Sequence, residues 1–188
     1  MAKSNELPNI ASEIRALVQA EGKRPPVESW HPERSGEIDI RIARDGTWYY
    51  QGGAMARESV VRLFSTILRK DDDHYFLVTP VEKLRIAVDD APFVIRMMDV
   101  EGSGEKQKIH LSTNVGDSFT LSRLHPLTVR YNQRGEPSPY ALVRAQLKAL
   151  ISRKVYYEMA DLVVPASGVS EGEEERFGVW SDGEFFIL

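Results

Sequence analysis

Residues 36–50, GEIDIRIARDGTWYY, decide how the rest of the chain is read. Ile38, Ile40 and Ile42 alternate with Asp39, Arg41 and Ala43, the two-residue period of a strand with one buried face. Arg44-Asp45-Gly46-Thr47 then turns the chain into Trp48-Tyr49-Tyr50. Asp-Gly between alternating runs marks a hairpin, because both residues tolerate positive φ. A second Asp-Gly hairpin closes the sequence, with residues 177–181 and 184–188 on either side of Asp182-Gly183. Residues 75–78, 84–88, 93–100, 108–113 and 118–121 also alternate as strands, with Gly102-Ser103-Gly104 and Gly116-Asp117 as turns.

Three helices are expected around these strands. The first follows Pro8, with Asn9 or Ser12 as its cap. Ile10, Ile14, Leu17 and Val18 recur at helical spacing, and Gly22 ends it. Residues 23–37 contain Pro25, Pro26 and Pro32 and read as an extended linker. The second helix is placed over residues 56–69, with Val60, Leu63, Phe64, Ile67 and Leu68 on one face. The third is placed from Ser138-Pro139, a cap followed by proline at the first helical position, with Tyr140, Val143, Leu147, Leu150 and Ile151 as its apolar stripe. Residues 166–176, rich in glutamate, read as a solvated loop.

A faint internal repeat runs through this order. Ile40-Arg41, Val61-Arg62, Arg69-Lys70 and Tyr75-Phe76 are echoed by Val129-Arg130, Val143-Arg144, Arg153-Lys154 and Tyr156-Tyr157, and each series ends at a proline, Pro80 and Pro165. The expected fold class is therefore α+β: two tandem domains with a duplicated strand–helix–strand core, each antiparallel sheet packed against one helix. The expected segments are an N-terminal helix over 1–23, an N-terminal domain over 24–83 and a C-terminal domain over 84–188.

Composition narrows the chemistry. With 188 residues the chain can bury a sizeable core without a disulfide or zinc staple. It has no cysteine, which removes thiolate metal sites and cysteine nucleophiles. A net charge of −4, from 24 basic and 28 acidic residues, argues against nucleic acid as a partner. No apolar run approaches the ~20 residues of a membrane helix, and residues 1–10 lack a signal-peptide core, so a cytoplasmic protein with no membrane partner is expected. The charge is unevenly spread. Residues 1–70 carry 11 basic and 9 acidic side chains, a net +2, while 71–126 and 127–188 are acidic. An anion is most at home in the first third.

No catalytic or metal signature is present. Gly102-Ser103-Gly104 is not followed by a helix and makes no phosphate loop. His31, His74, His110 and His125 lack metal-pair spacing, and Asp71-Asp72-Asp73 lacks the spaced ligands of a calcium loop. No cofactor, metal or catalytic residue is assigned. The candidate ligand-binding residues are Trp30 and His31 in the linker, Arg41 and Arg44 flanking the first hairpin, Trp48 on it, Arg57 near the start of the second helix, and Thr79, Glu82, Lys83 and Arg85 between two strands. Arginines beside aromatic faces are the materials for holding an anion and stacking a base. The structural alternative stands beside this: Trp48 and Tyr50 lie on one side of their strand and Tyr49 on the other, so one set is core.

Trp30-His31-Pro32, Gly36–Ile42, Arg44–Trp48, the string Leu77-Val78-Thr79-Pro80-Val81-Glu82-Lys83 and the ending Gly178-Val179-Trp180 resemble the bacterial domain of unknown function 1285 family. The resemblance runs from about Pro25 to the C-terminus. It implies two α+β domains with a duplicated core, the second superficially like a pleckstrin-homology fold. It also implies a nucleotide-type ligand at the domain interface and a signalling role. It brings no catalytic residues.

Three functions follow as expectations. The first is a sensor that binds a small anionic or nucleotide-like molecule between the two units. The second is an acid–base enzyme acting on a phosphorylated small molecule through Glu82 with Asp45 or Asp99, helped by His31. The third is a structural module that forms a homodimer through exposed strand edges.

Overall fold

The structure, a computed structural model, describes residues 6–21, 24–166 and 176–188. The chain divides into two compact units, 1–90 and 91–188. The boundary falls between Asp90 and Ala91 rather than at 83/84, because the strand that starts at Glu82 pairs with the first sheet.

The first unit opens with α1 (Glu6–Glu21), a 3-10 turn at Val27–Ser29, and β1 (Arg34–Ile42). It continues through β2 (Trp48–Tyr50), β3 (Gly53–Ala54), α2 (Glu58–Ser65), β4 (Leu68–Asp71), β5 (His74–Val78) and β6 (Glu82–Val88). The expected hairpin forms, with Ile42 opposite Trp48 and Ile40 opposite Tyr50. Gly46 at φ +86° supplies the left-handed position the turn requires. Ile38, Ile40, Ile42 and Trp48 are buried, and so are Ile14 of α1 and Phe64 of α2. Each such side chain contributes about 1.5–3 kcal/mol by leaving water. The charged alternates Glu37, Asp39 and Arg41 face solvent.

Two elements of this unit depart from the sequence reading. β1 begins at Arg34, inside the stretch read as linker, and the segment before it packs a buried Pro25 and Val27. The second helix is shorter than 56–69. Ser65 Oγ donates to Arg62 C=O and Thr66 Oγ1 to Leu63 C=O, so hydroxyls occupy carbonyls in its last turn. Leu68 and Arg69 then pair with Leu77 and Phe76 as a strand.

The second unit holds β7 (Phe93–Glu101), β8 (Lys108–Thr113), β9 (Ser118–Thr120), β10 (Leu127–Tyr131), β11 (Pro137–Arg144), β12 (Leu147–Ile151), α3 (Arg153–Ala160), β13 (Val164–Pro165), β14 (Phe177–Ser181) and β15 (Glu184–Ile187). The helix expected from Ser138-Pro139 is a β-hairpin. Ala141 and Val143, then Leu147, Ala149 and Ile151, are buried at a period of two, and Tyr140 on the other face of β11 is buried as well. Ala141 stands opposite Ala149. Small side chains that carry helix propensity in isolation here fill a tight cross-strand position, and Ala145 takes φ +43° in the turn. The third helix starts at Arg153, so Tyr156 and Tyr157 lie on a helix and the dipeptide repeat does not align the two units. The run of glutamates at 171–175 lies outside the described residues.

The duplication exists at the level of topology. The sheets read β3-β2-β1-β6-β5-β4 and β10-β11-β12-β7-β8-β9. Each is a pair of three-stranded meanders whose first and last strands, β1 with β6 and β7 with β12, run parallel side by side. The units differ in their helices: α2 links the meanders of the first, whereas α3 follows the second meander of the other and packs on β7. The short sheet β13-β14-β15 is added to the second unit. The buried Ser181 hydroxyl holds it there, accepting from Ile109 N–H at 2.9 Å and donating to Leu121 C=O at 2.6 Å.

Candidate functional site

A cleft of about 390 Å³ opens where β1 and β6 lie side by side, lined by Glu37–Ile40 and Arg85–Ala87. Its origin is a fault in register. Gly36 is level with Leu84, and pairing resumes with Ile42 level with Val88, so six steps on β1 span four on β6.

The peptide groups at the fault can be counted. Gln51 N–H donates to Asp39 C=O and Ala43 N–H to Thr47 C=O, both at 2.9 Å, so Asp39, Arg41 and Ala43 direct their peptide groups toward β2. Asp89 N–H donates to Ile42 C=O at 3.0 Å, which turns Ile42, and by alternation Ile40 and Ile38, toward β6. In a parallel ladder Gly36 engages Lys83 C=O and Arg85 N–H, and Ile42 engages Ala87 C=O and Asp89 N–H. Only Arg85 C=O and Ala87 N–H remain on β6, against the N–H and C=O of both Ile38 and Ile40. At least one donor and one acceptor of these isoleucines therefore lack a partner in the ladder. Ile38 and Ile40 are also among the residues that line the cleft.

Three charged side chains rim the cleft. Glu37 and Arg85 are level with one another on the two strands, with no ion pair between them, and Asp39 is two residues on. Arg85 Nη2 lies 3.2 Å from His74 Nδ1. The carboxylates of Glu37 and Asp39 have no ion-pair or hydrogen-bond partner among the described residues.

All ten candidate residues belong to the first unit, and of them Arg85 alone lines the cleft. Arg41 donates to Asp89 and lies 4.7 Å above the Tyr49 ring. Arg44 pairs with Asp90 at 3.1 Å. Trp48 is core, 1% exposed, with its indole N–H unpartnered. Thr79 is a turn residue whose Oγ1 accepts Glu82 N–H at 3.1 Å, and Glu82 begins β6 behind it. Lys83 pairs with Asp71 at 3.0 Å and lies 4.3 Å above the Phe76 ring. Trp30 closes the 3-10 turn and its carbonyl accepts from Arg69 at 2.8 Å. His31 is exposed, and Arg57 is the exposed N-cap of α2. Of the enzyme candidates, Asp45 accepts Thr47 N–H at 2.9 Å in the hairpin turn, while Asp99 is an exposed residue of β7 in the other unit.

Residues that the sequence did not single out as candidates are Glu37, Asp39, Ile38 and Ile40 at the cleft, His74 beside Arg85, and the acidic partners Asp71, Asp89 and Asp90. Glu37 and Asp39 stand on the exposed face of the quoted strand, where alternation alone could have marked them. The register fault has no counterpart in the residue pattern. Among the described residues no group of three or more His, Asp or Glu side chains gathers around a metal position, and no helix is long and apolar enough to cross a membrane.

Two tandem α+β units with one strand order, the first carrying a cleft between its two central parallel strands, define the class of protein. The chain belongs to the DUF1285 family: the family's N-terminal domain of unknown function matches residues 25–91 and its C-terminal domain matches 92–188. It is similar to the crystal structure of a DUF1285 family protein from Silicibacter pomeroyi DSS-3 at 2.50 Å, with 44% identity and a TM-score of 0.85 over 99% of this chain and 96% of that one. It is also similar to a DUF1285 family protein from Shewanella baltica OS155 at 1.40 Å, with 29% identity and a TM-score of 0.52 over 65% of this chain and 90% of that one. No curated protein matches the chain.

Proposed function

We propose that the chain is a ligand-binding protein of the sensor type, whose first unit receives a small molecule with an anionic group in the cleft between β1 and β6. The observation that carries this is the cleft itself. Its volume of about 390 Å³ lies within the range of small-molecule sites, and it offers peptide donors and acceptors with one arginine at its rim. Arg41, Arg44 and Lys83 each hold an acidic partner within the unit. Arg85 has the His74 ring nitrogen instead, so its charge is the most available of the four for an incoming anion.

A thermal-shift screen against nucleotides, phosphorylated metabolites and small carboxylates tests the reading. At least one anion is expected to raise the melting temperature. Arg85→Ala removes that shift and leaves the unliganded melting temperature within a few degrees of the parent. If no anion moves the melting temperature at millimolar concentration, the reading fails. Chemical turnover of the hit moves it to the enzyme class, and a ligand-free dimer with no shift moves it to the structural one.

A further inference from the structure

We infer that the cleft between β1 and β6 takes a zwitterion with a central amide, a short unblocked peptide of two or three residues, rather than a polyanion such as a nucleotide. This rests on the ligand-binding reading above and specifies the ligand's class.

Arg85 presents one cation at the rim, and its side-chain partner among the described residues is a histidine nitrogen. Glu37, level with Arg85 on the neighbouring strand, and Asp39 present two carboxylates with no partner among the described residues. The rim thus carries formal charges of +1 and −2. A nucleotide placed on Arg85 would bring its phosphates beside both carboxylates, and like charges at such range are unfavourable. A ligand with an ammonium and a carboxylate satisfies both signs at once. Between the charged groups, the floor offers at least one N–H and one C=O from Ile38 and Ile40 that the sheet leaves without a ladder partner. A peptide group supplies one acceptor and one donor of its own, as an added strand does at a sheet edge. A cleft of about 390 Å³ holds two or three small residues and no folded domain. Ile38, Ile40 and Ile86 close its inner side with buried aliphatic surface.

The cation at Arg85 and the anions at Glu37 and Asp39 also give the peptide a direction, its C-terminus toward β6 and its N-terminus toward β1. Blocking either end should therefore weaken binding independently.

Calorimetry on the full chain with L-alanyl-L-alanine, its N-acetyl form, its C-terminal amide, inorganic phosphate and ATP decides the matter. The unblocked dipeptide is expected to bind, and each blocked form to bind at least about tenfold more weakly. The double variant Glu37→Gln/Asp39→Asn should bind the unblocked and N-acetyl forms equally. Both substitutions are exposed and nearly isosteric, and a melting curve checks that the variant is folded. Equal binding of the acetylated and free dipeptides to the parent overturns the inference while leaving the anion reading in place. So does ATP or phosphate binding more tightly than the dipeptide in a manner lost with Arg85→Ala. If neither dipeptide nor anion binds at millimolar concentration, both readings fall together.

Discussion

Arg69 and Asp71 lie two residues apart on β4, on one face of the strand, and their side chains meet as a two-pronged pair. Arg69 Nε donates to Asp71 Oδ1 at 2.8 Å and Nη2 to Oδ2 at 2.9 Å. Nη1 is left to donate to two carbonyls, Val27 and Trp30, each at 2.8 Å. One guanidinium, 7% exposed, thus anchors the proline-rich segment before β1 to the far edge of the sheet. Planarity and five donors make this a task for arginine, since lysine could make no such fork. Arg69→Met should destabilise the protein by about 2–4 kcal/mol, because it leaves two carbonyls without their donor and takes the fork from a half-buried carboxylate that keeps only Lys83. Urea denaturation measures the loss, and Trp30 emission should shift to the red as the segment comes away. A midpoint unchanged from the parent would show that the segment is held by its prolines alone.

Asp71 also receives Lys83, and this sets a pH dependence. Burial raises the carboxyl's pKa, but the hydrogen bonds and charges of Arg69 and Lys83 outweigh it and hold the group below its ordinary value of 3.8. A carboxylate with a depressed folded pKa adds stability that is fully present above its unfolded pKa and is lost as pH falls through the folded value. The stability gap between the parent and Asp71→Asn should therefore be constant from pH 7 to about pH 5 and close progressively below about pH 4. Denaturation midpoints at a series of pH values read this directly. A gap that widened toward low pH would place the sign of the shift the other way.

Arg41 separates the residue pattern from the geometry. On sequence grounds it is a leading anion contact; in the folded unit it donates to Asp89, just past the end of β6, and covers the Tyr49 ring. Both members of the ion pair are nearly half exposed, 46% and 40%, so the pair is screened and weak. Arg41→Ala should cost about 0.5–1 kcal/mol and leave ligand binding at Arg85 intact. Loss of the ligand-induced thermal shift in this variant, with Arg85→Ala unaffected, would return the site to the β1–β2 hairpin.

How far the sequence reaches is plain from particular residues. Asp45-Gly46 and Asp182-Gly183 announce their hairpins because a local backbone requirement selects those residue types, and nothing distant can override it. Residues 138–151 do not announce theirs. Tyr140, Val143, Leu147 and Leu150 satisfy a helical spacing while Ala141 and Val143, with Leu147, Ala149 and Ile151, satisfy a strand's, and the tie is settled by the pairing of Ala141 with Ala149. The cleft is a further step removed. It arises from a mismatch between strands whose paired residues are separated by more than forty positions, and no local preference of Ile38 or Ile86 encodes it. The arginines of the first third are visible in the sequence, but their acidic partners Asp89 and Asp90 reach them only through the return of β6 to β1.

Gly178 makes a requirement of a different kind. It sits on β14 level with Val164 on one side and Ile187 on the other, and its backbone conformation is an ordinary extended one. What demands glycine is proximity: a Cβ at this position would overlap the Phe186 carbonyl oxygen and stand 2.9 Å from the Phe185 ring. The nearer obstacle is backbone of the paired strand, which cannot swing aside as a side chain can. Gly178→Ala must therefore push β15 away from β14, loosening the hairpin that carries the buried Val179, Ser181 and Phe186. Because Ser181 ties that hairpin to Ile109 and Leu121, the strain passes into the main sheet of the second unit. A loss of about 3 kcal/mol or more is expected, comparable to overpacking a closed core. Hydrogen exchange should show the amides of β14 and β15 losing protection first. Gly183→Ala provides the control: nothing lies within 4 Å of its Cβ position, so at φ +78° it should cost only the local strain of a left-handed alanine, about 1 kcal/mol. If Gly178→Ala is no more harmful than that control, β14 and β15 are not held at the spacing described.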